Sequence, residues 1–254
     1  MYDPASPFSA GPAPRQGLPA PDTKGRFAED RLLDAVMWCE IVPGETVTES
    51  DVMTRFGLSR AAARTGLTRL GYDGWVVPQP RTGWYVLPVT GQLIGQVLGA
   101  RRLSEPVLLD LRLSAGTRDE LSELLAVLTA LAGQSEAGAV ASRRTYVDRI
   151  DGLLLRALDP FTAQHLRRLW NHTARITRFF ERPECLFVRS DAPTLARALL
   201  AEDAAGVAAA RAALIDAQEA FFFRHLLESD TPLTPGSRGL GRRQDDAAHN
   251  RREQ

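Results

Sequence analysis

The sequence predicts a mostly α-helical protein: a small N-terminal module of three helices closed by a β-hairpin, then a longer all-α helical bundle. Three observations lead there. Apolar residues recur at helical spacing over most of the chain, the β-prone runs are confined to Trp75-Val76-Val77 and Trp84-Tyr85-Val86, and the pattern changes once, near residues 87–91. A length of 254 residues suits one large domain or two ordinary ones.

In the first part, Phe27, Leu32, Leu33, Val36, Met37 and Ile41 share a helical face, which Pro43-Gly44 ends. Thr48 and Ser50 are cap candidates for a short helix through Phe56, with Gly57 at its C′ position. Ser59 caps a third helix whose Ala63, Leu67 and Leu70 fall at i, i+4 and i+7, and Gly71-Tyr72-Asp73-Gly74 stops it. The segment Pro78–Gly83 between the β-prone runs is too long for a two-residue turn. In the second part, helices are expected over about 92–114, 117–135, 140–158, 162–182, 192–202 and 204–228. Thr117 with Glu120 has the form of a capping box, and Pro106 is expected to kink the first long helix without ending it. The domain plan is therefore a disordered, Pro-rich arm at 1–24, a compact module at 25–88, a helical domain at 92–228 and a disordered tail at 229–254.

Composition narrows the function. A hydrophobic fraction of 44% and a charged fraction of 24% are those of a globular protein. Arg, Asp or Glu interrupts every apolar run before it reaches membrane-spanning length, and the N-terminus has no secretory apolar core. Cys39 and Cys185 are far apart and form no CxxC pair, which together with the N-terminus implies a cytoplasmic protein without a disulfide scaffold. The net charge of +0 excludes a generic polyanion binder. Local charge is another matter: residues 55–81 hold Arg55, Arg60, Arg64, Arg69 and Arg81 against Asp73 alone. Two helices joined across Gly57-Leu58, the second presenting Arg60 and Arg64 beside its core stripe, form a helix-turn-helix candidate for double-stranded DNA. Arginine can donate two hydrogen bonds to guanine in the major groove, and Arg81 with Gly83 at the hairpin tip can reach the adjacent minor groove. The five arginines of the tail are read as a solvated segment.

The order Ile41-Val42-Pro43-Gly44, Val47, Glu49, Phe56-Gly57-Leu58-Ser59-Arg60-Ala61-Ala62-Ala63-Arg64-Thr65-Gly66-Leu67-Thr68-Arg69-Leu70, Gly74-Trp75-Val76-Val77 and Arg81–Val86 resembles the winged helix-turn-helix of GntR-family transcription regulators. The resemblance spans residues 27–87. It implies DNA contacts at Ser59, Arg60, Arg64, Arg81 and Gly83, to which Thr65, Thr68 and Arg69 on the same helix are added as candidates. Thr65 and Gly66 depart from the Glu-Ala usual there, which alters the expected operator, and Gly66 lowers helix propensity by about 1 kcal/mol relative to Ala.

The helical part is similar to the FCD effector domain of the FadR-like branch, through Arg101-Arg102-Leu103-Ser104-Glu105-Pro106 and Ala198–Ala205. That resemblance implies a repressor with a small-molecule effector and, in many members, a metal held by one Asp and three His. Here Asp148 fits the Asp position, whereas Gly152, Ala192 and Leu214 stand at the His positions, so no metal and no cofactor are expected. His165, His172 and His225 show no ligand spacing among themselves. Polar residues on otherwise apolar helices, Arg101, Arg102, Asp148, Asn171, His172 and Arg175, are the candidate ligand-binding set, and inward arginines favour an organic acid. Phe179, Phe180 and Phe221–Phe223 serve either as pocket wall or as core and dimer surface. One recognition helix touches few base pairs, so a homodimer on two half-sites is expected, joined through the helical domain. The alternatives are a ligand-independent dimeric DNA-binding protein and an enzyme. The enzyme has only the pairs Asp148/Asp151 and Glu181/Glu184, without nucleophile, base or phosphate loop, so no catalysis is expected.

Overall fold

A computed structural model describes residues 23–134, 137–182 and 184–228, which fall into two compact units. The expected tail, and the expected arm up to residue 22, lie outside the described residues. Thr23 and Lys24, expected in the arm, instead open the first helix.

The first unit holds α1 (Thr23–Met37), β1 (Thr46–Val47), α2 (Glu49–Phe56), α3 (Arg60–Tyr72), β2 (Val76–Gln79) and β3 (Gly83–Val86). The first helix stops at Met37, short of Ile41. Cys39 takes a left-handed φ of 56°, and Ile41 is buried from the turn that follows, its N–H donating to Ala35 O. Thr48 caps α2 with a full capping box through Asp51, and Gly57 closes it at φ 64°. Ser59 caps α3, its Oγ accepting from Ala62 N at 3.3 Å. Buried Ala63, Leu67 and Leu70 join Leu32, Val36 and Val52 in the core.

The sheet order is β1-β3-β2, antiparallel throughout. Strand β1 was too short to leave a sequence pattern. Gln79 pairs with Gly83, so the hairpin loop narrows to Pro80-Arg81-Thr82, with Arg81 left-handed at φ 68°. Two glycines serve close approach. At Gly66 an added Cβ would lie 2.8 Å from Leu32 Cδ1, which lets α3 sit against α1 despite the propensity penalty. At Gly83, with φ 122°, a Cβ would lie 2.4 Å from Val47 O.

The second unit contains α4 (Gly91–Ser104), a 3₁₀ segment (Glu105–Asp110), α5 (Ala115–Ala130), α6 (Ala137–Ala157), α7 (Pro160–Phe180), α8 (Ala192–Leu200) and α9 (Ala204–Leu227). Two expectations are corrected. Pro106 ends α4 rather than kinking it: it sits in the first turn of the 3₁₀ segment, where its missing N–H leaves no bond unmade. Ser114, not Thr117, caps α5, its Oγ accepting from Thr117 N at 3.2 Å. A core of Leu121, Leu128, Ile150, Leu154, Leu166 and Leu195 joins α5, α6, α7 and α8, and a second cluster of Ile94, Leu98, Ile176, Phe180 and Phe222 joins α4, α7 and α9. Phe180, Phe221 and Phe222 are thus core, while Phe223 is exposed. No helix among the described residues is long and apolar enough to cross a membrane.

Candidate nucleic-acid interface and ligand cavity

The outer face of α3 is cationic and open. Arg60, Arg64, Thr65 and Arg69 are exposed, Thr68 is half-buried, and Ser59 sits at the helix start with its hydroxyl engaged in the cap. Arg64 is held by α2: its Nε donates to Glu49 Oε1 at 2.8 Å and an Nη to Glu49 Oε2 at 3.3 Å. This hydrogen-bonded pairing lowers the Glu49 pKa and raises that of Arg64. Arg69 makes a longer contact of 3.5 Å with Glu29 of α1. The pairs are solvent-facing, hence weak, and a phosphate or a guanine edge can replace the carboxylates. Arg81 is exposed at the hairpin tip. Gly83 is half-buried, and its place is fixed by the β1 backbone it touches. In the sequence Glu49 is marked only by its place in the motif. Its contact with Arg64 spans 15 positions and left no local signal.

The helical unit holds a cavity of about 370 Å³, open to solvent on one side and walled mainly by α6, α7 and α9. Its floor is a buried charge network. Glu105, 3% exposed, accepts from Arg101 Nε at 2.6 Å, Arg211 Nε at 2.7 Å and Trp170 Nε1 at 2.9 Å. Burial alone would push this carboxyl up, but the charges and hydrogen bonds of Arg211 and Arg101 override it and hold the pKa at about 2. Arg101, 1% exposed, also donates to Gln218 Oε1 and, at 3.4 Å, to Thr173 Oγ1. Arg189 is gripped from two sides, by Asp151 at 2.5 Å and by Asp191 at 3.0 Å, which together outweigh burial and raise its pKa. Arg144, another lining residue, pairs with Glu181 at 2.5 Å. Asp148 opens onto the cavity, yet the protein packed around it and the charge of Asp151 raise its pKa, against Arg178, Arg189 and Arg144.

Of the sequence candidates for ligand contact, the cavity brings together Arg101, Asp148 and Asn171. Arg102, His172 and Arg175 do not line it. Arg102 is exposed and pairs with Asp216 at 3.0 Å and Glu219 at 2.6 Å. His172 and Arg175 are buried on other faces of α7; burial depresses His172 to about 4, with Arg175 adding to the effect, and depresses Arg175 to about 10. The paired carboxylates considered for catalysis are engaged elsewhere: Asp151 with Arg189 and Glu181 with Arg144.

Sequence reading missed Arg211, Gln218, Arg189, Arg144 and Arg178. A signal existed for two of them. Val207, Arg211, Leu214, Gln218 and Phe221 follow one helical stripe of α9, so Arg and Gln occupy core positions. The metal set implied by the resemblance does not fit this chain. Asp148, Gly152 and Leu214 line the cavity, but only Asp148 carries a donor; Ala192 is buried and carries none. Among the described residues no group of three or more His, Cys, Asp or Glu side chains converges to hold an ion.

Residues 24–86 match the family model described as bacterial regulatory proteins, gntR family, a span running from α1 to the end of β3. No curated protein matches the chain. Among solved structures, E. coli McbR/YncC is similar over 80% of this chain and 98% of its own, with 18% identity and a TM-score of 0.64. A putative transcriptional regulator GntR from Rhodococcus sp. RHA1 is similar over 79% of this chain and 98% of its own, with 16% identity and a TM-score of 0.61. At these identities the two likenesses establish the fold: a winged helix-turn-helix followed by a helical domain.

Proposed function

We propose that this chain, whose residues 24–86 match the gntR-family model, is a DNA-binding transcription regulator of that kind, and in particular a cytoplasmic homodimeric repressor released or engaged by a small organic acid. DNA is read by α3, with Arg60 and Arg64 at the groove, Thr65, Thr68 and Arg69 along the same helix, and Ser59 at its start. Arg81 and Gly83 form the tip of the wing. The observation that carries the effector reading is the cavity: about 370 Å³, with seven arginines among its lining residues and only Asp148 and Asp151 as lining carboxylates. That volume lies in the range of small-molecule sites, and bundle interiors are common places for them. An anion entering there gains charge-assisted hydrogen bonds in a low-dielectric setting. A ligand that binds one arrangement of the dimer better than another shifts the half-site spacing the two readers can span.

The test is thermal unfolding of the purified full chain against organic acids, with matched amines and sugars as controls. Acids raise the midpoint and amines do not. Equal response to all three classes removes the acid effector and leaves a ligand-independent DNA-binding protein. Light scattering at micromolar concentration reads the dimer directly, and a monomer that still binds a palindromic site tightly contradicts it.

A further inference from the structure

We propose that Cys185 is a modification site: a nucleophile with His225 as its base, placed to add to a neutral α,β-unsaturated carbonyl compound. The site lies in the helical unit outside the cavity, and it does not depend on the effector reading.

The fold makes the pair. Cys185 follows α7 and His225 belongs to the end of α9, 40 positions away, yet the Sγ lies 3.4 Å from Nε2 of the ring. The other ring nitrogen, Nδ1, is 3.4 Å from Glu228 Oε2. A carboxylate on that side favours the tautomer with its proton on Nδ1, which leaves the lone pair of Nε2 for the thiol proton. Aromatic packing fixes the ring: Phe180 stacks on it with centres 6.1 Å apart, and Phe221 meets it edge to face at 4.5 Å. The cysteine is fixed as well, since Arg182 and Cys185 exchange backbone hydrogen bonds of 3.3 and 2.9 Å. A nucleophile, a base within reach and a third group that orients the base form the arrangement that activates a thiol.

The other cysteine is the internal control. Cys39 Sγ lies 3.9 Å from the Arg175 carbonyl oxygen, which can accept a hydrogen bond from the thiol but does not take its proton. Burial pushes the Cys39 thiol up, against the charges of Arg175 and Arg178. Both cysteines are free and half-buried, so they differ in their partners rather than in exposure.

The surroundings select the reagent. Cys185 packs against the cluster of Phe180, Phe221, Phe222 and Leu226, and Leu186 beside it is exposed. Apolar neighbours favour a neutral, carbon-rich molecule over a charged one. As the sulfur attacks the β-carbon, the thiol proton passes to His225 Nε2. The sulfur electron pair forms the S–C bond, the C=C π pair moves onto the carbonyl as an enolate, and the Nε2 proton then goes to the α-carbon. The product is a thioether, and no oxidant or reductant takes part.

The reduced full chain is reacted with cyclohexenone near neutral pH, and peptide mapping by mass spectrometry gives the rates at Cys185 and Cys39, with glutathione as the solution reference. Cys185 should react about tenfold or more faster than either, and the two cysteines should become alike in denaturant. His225→Gln should bring Cys185 down to the glutathione rate, with circular dichroism checking that the variant is folded; the comparison with Cys39 and glutathione needs no variant. A Cys185 no faster than glutathione, or one unchanged in folded His225→Gln, overturns the proposal. A gain over glutathione with hydrogen peroxide but not with cyclohexenone overturns the assignment to unsaturated carbonyl compounds.

Discussion

Arginine does opposite things in the two units. On α3, Arg60 and Arg64 stand in solvent, and the pairing of Arg64 with Glu49 is an exposed one in which the Arg64 side chain keeps 66% of its accessibility. In the bundle, Arg101 and Arg211 are almost wholly buried around Glu105. Exposed pairs contribute little to stability because water competes for both partners, so those arginines remain available to another polyanion. A buried guanidinium loses its hydration, so each fixed partner matters and removing one leaves a charge stranded. The same residue type is thus interchangeable for folding on one surface and indispensable in the other interior.

The largest expected effect is therefore at the network centre. Glu105→Ala strips the acceptor from Arg101, Arg211 and Trp170, and should destabilise the bundle by about 3–5 kcal/mol in urea titration. Glu105→Gln should recover only part of this, since it keeps an acceptor but not the charge. A loss below about 1 kcal/mol for Glu105→Ala would make the network ornamental.

Acid should act on the same group. The Glu105 pKa is depressed from the usual 4.5 to about 2 in the folded chain. Its contribution is fully present above pH 4.5, where both folded and unfolded forms are ionised, and is lost as pH falls toward 2. The amount is on the order of 3 kcal/mol. His172, held at about 4 against an ordinary 6.5, acts in the same direction at higher pH, because the unfolded chain takes up its proton first between 6.5 and 4. Stability measured from pH 7 to 2 should fall in these two stages, and Glu105→Gln should flatten the lower one.

Smaller effects belong to the DNA-reading unit and come from backbone and cap, not from charge. Gly83→Ala meets Val47 O at 2.4 Å with φ at 122°, and should destabilise this unit by about 1–3 kcal/mol. Ser59→Ala removes the α3 cap, at about 1 kcal/mol. Denaturation of each variant followed by the tryptophan fluorescence of Trp75 and Trp84 checks both.

The contrast also explains what could be read from sequence. Gly57, Ser59 and the Ala63/Leu67/Leu70 stripe are local signals, each set within a few residues, and so the DNA-reading unit was legible almost in full. Strand β1 has two residues and was not. In the helical unit the helix order was legible, but boundaries shifted where two choices satisfied the same local rule, as with Ser114 and Thr117 at the α5 cap. The cavity was legible only in part. Arg101, Asp148 and Asn171 stood out as polar on apolar helices, whereas Arg211 reaches Glu105 across 106 positions and Arg189 reaches Asp151 across 38. Such contacts are made by helix packing, which no short window of sequence encodes. Arg102, a neighbour of Arg101, looked equivalent in sequence, yet one step of about 100° around α4 turned it to solvent.

The central claim is that α3 reads DNA through arginines the fold does not need, and Arg64→Ala tests it most directly. Fragments bound by the full chain are selected from random DNA, and the affinities of wild type and Arg64→Ala are compared on the selected site and on scrambled DNA at fixed salt. Fold stability should change by less than about 1 kcal/mol, while affinity for the selected site falls by about 1–3 kcal/mol and affinity for scrambled DNA falls by less. Equal losses on both DNAs would reduce Arg64 to a phosphate contact, and unchanged affinity on the selected site would contradict the account.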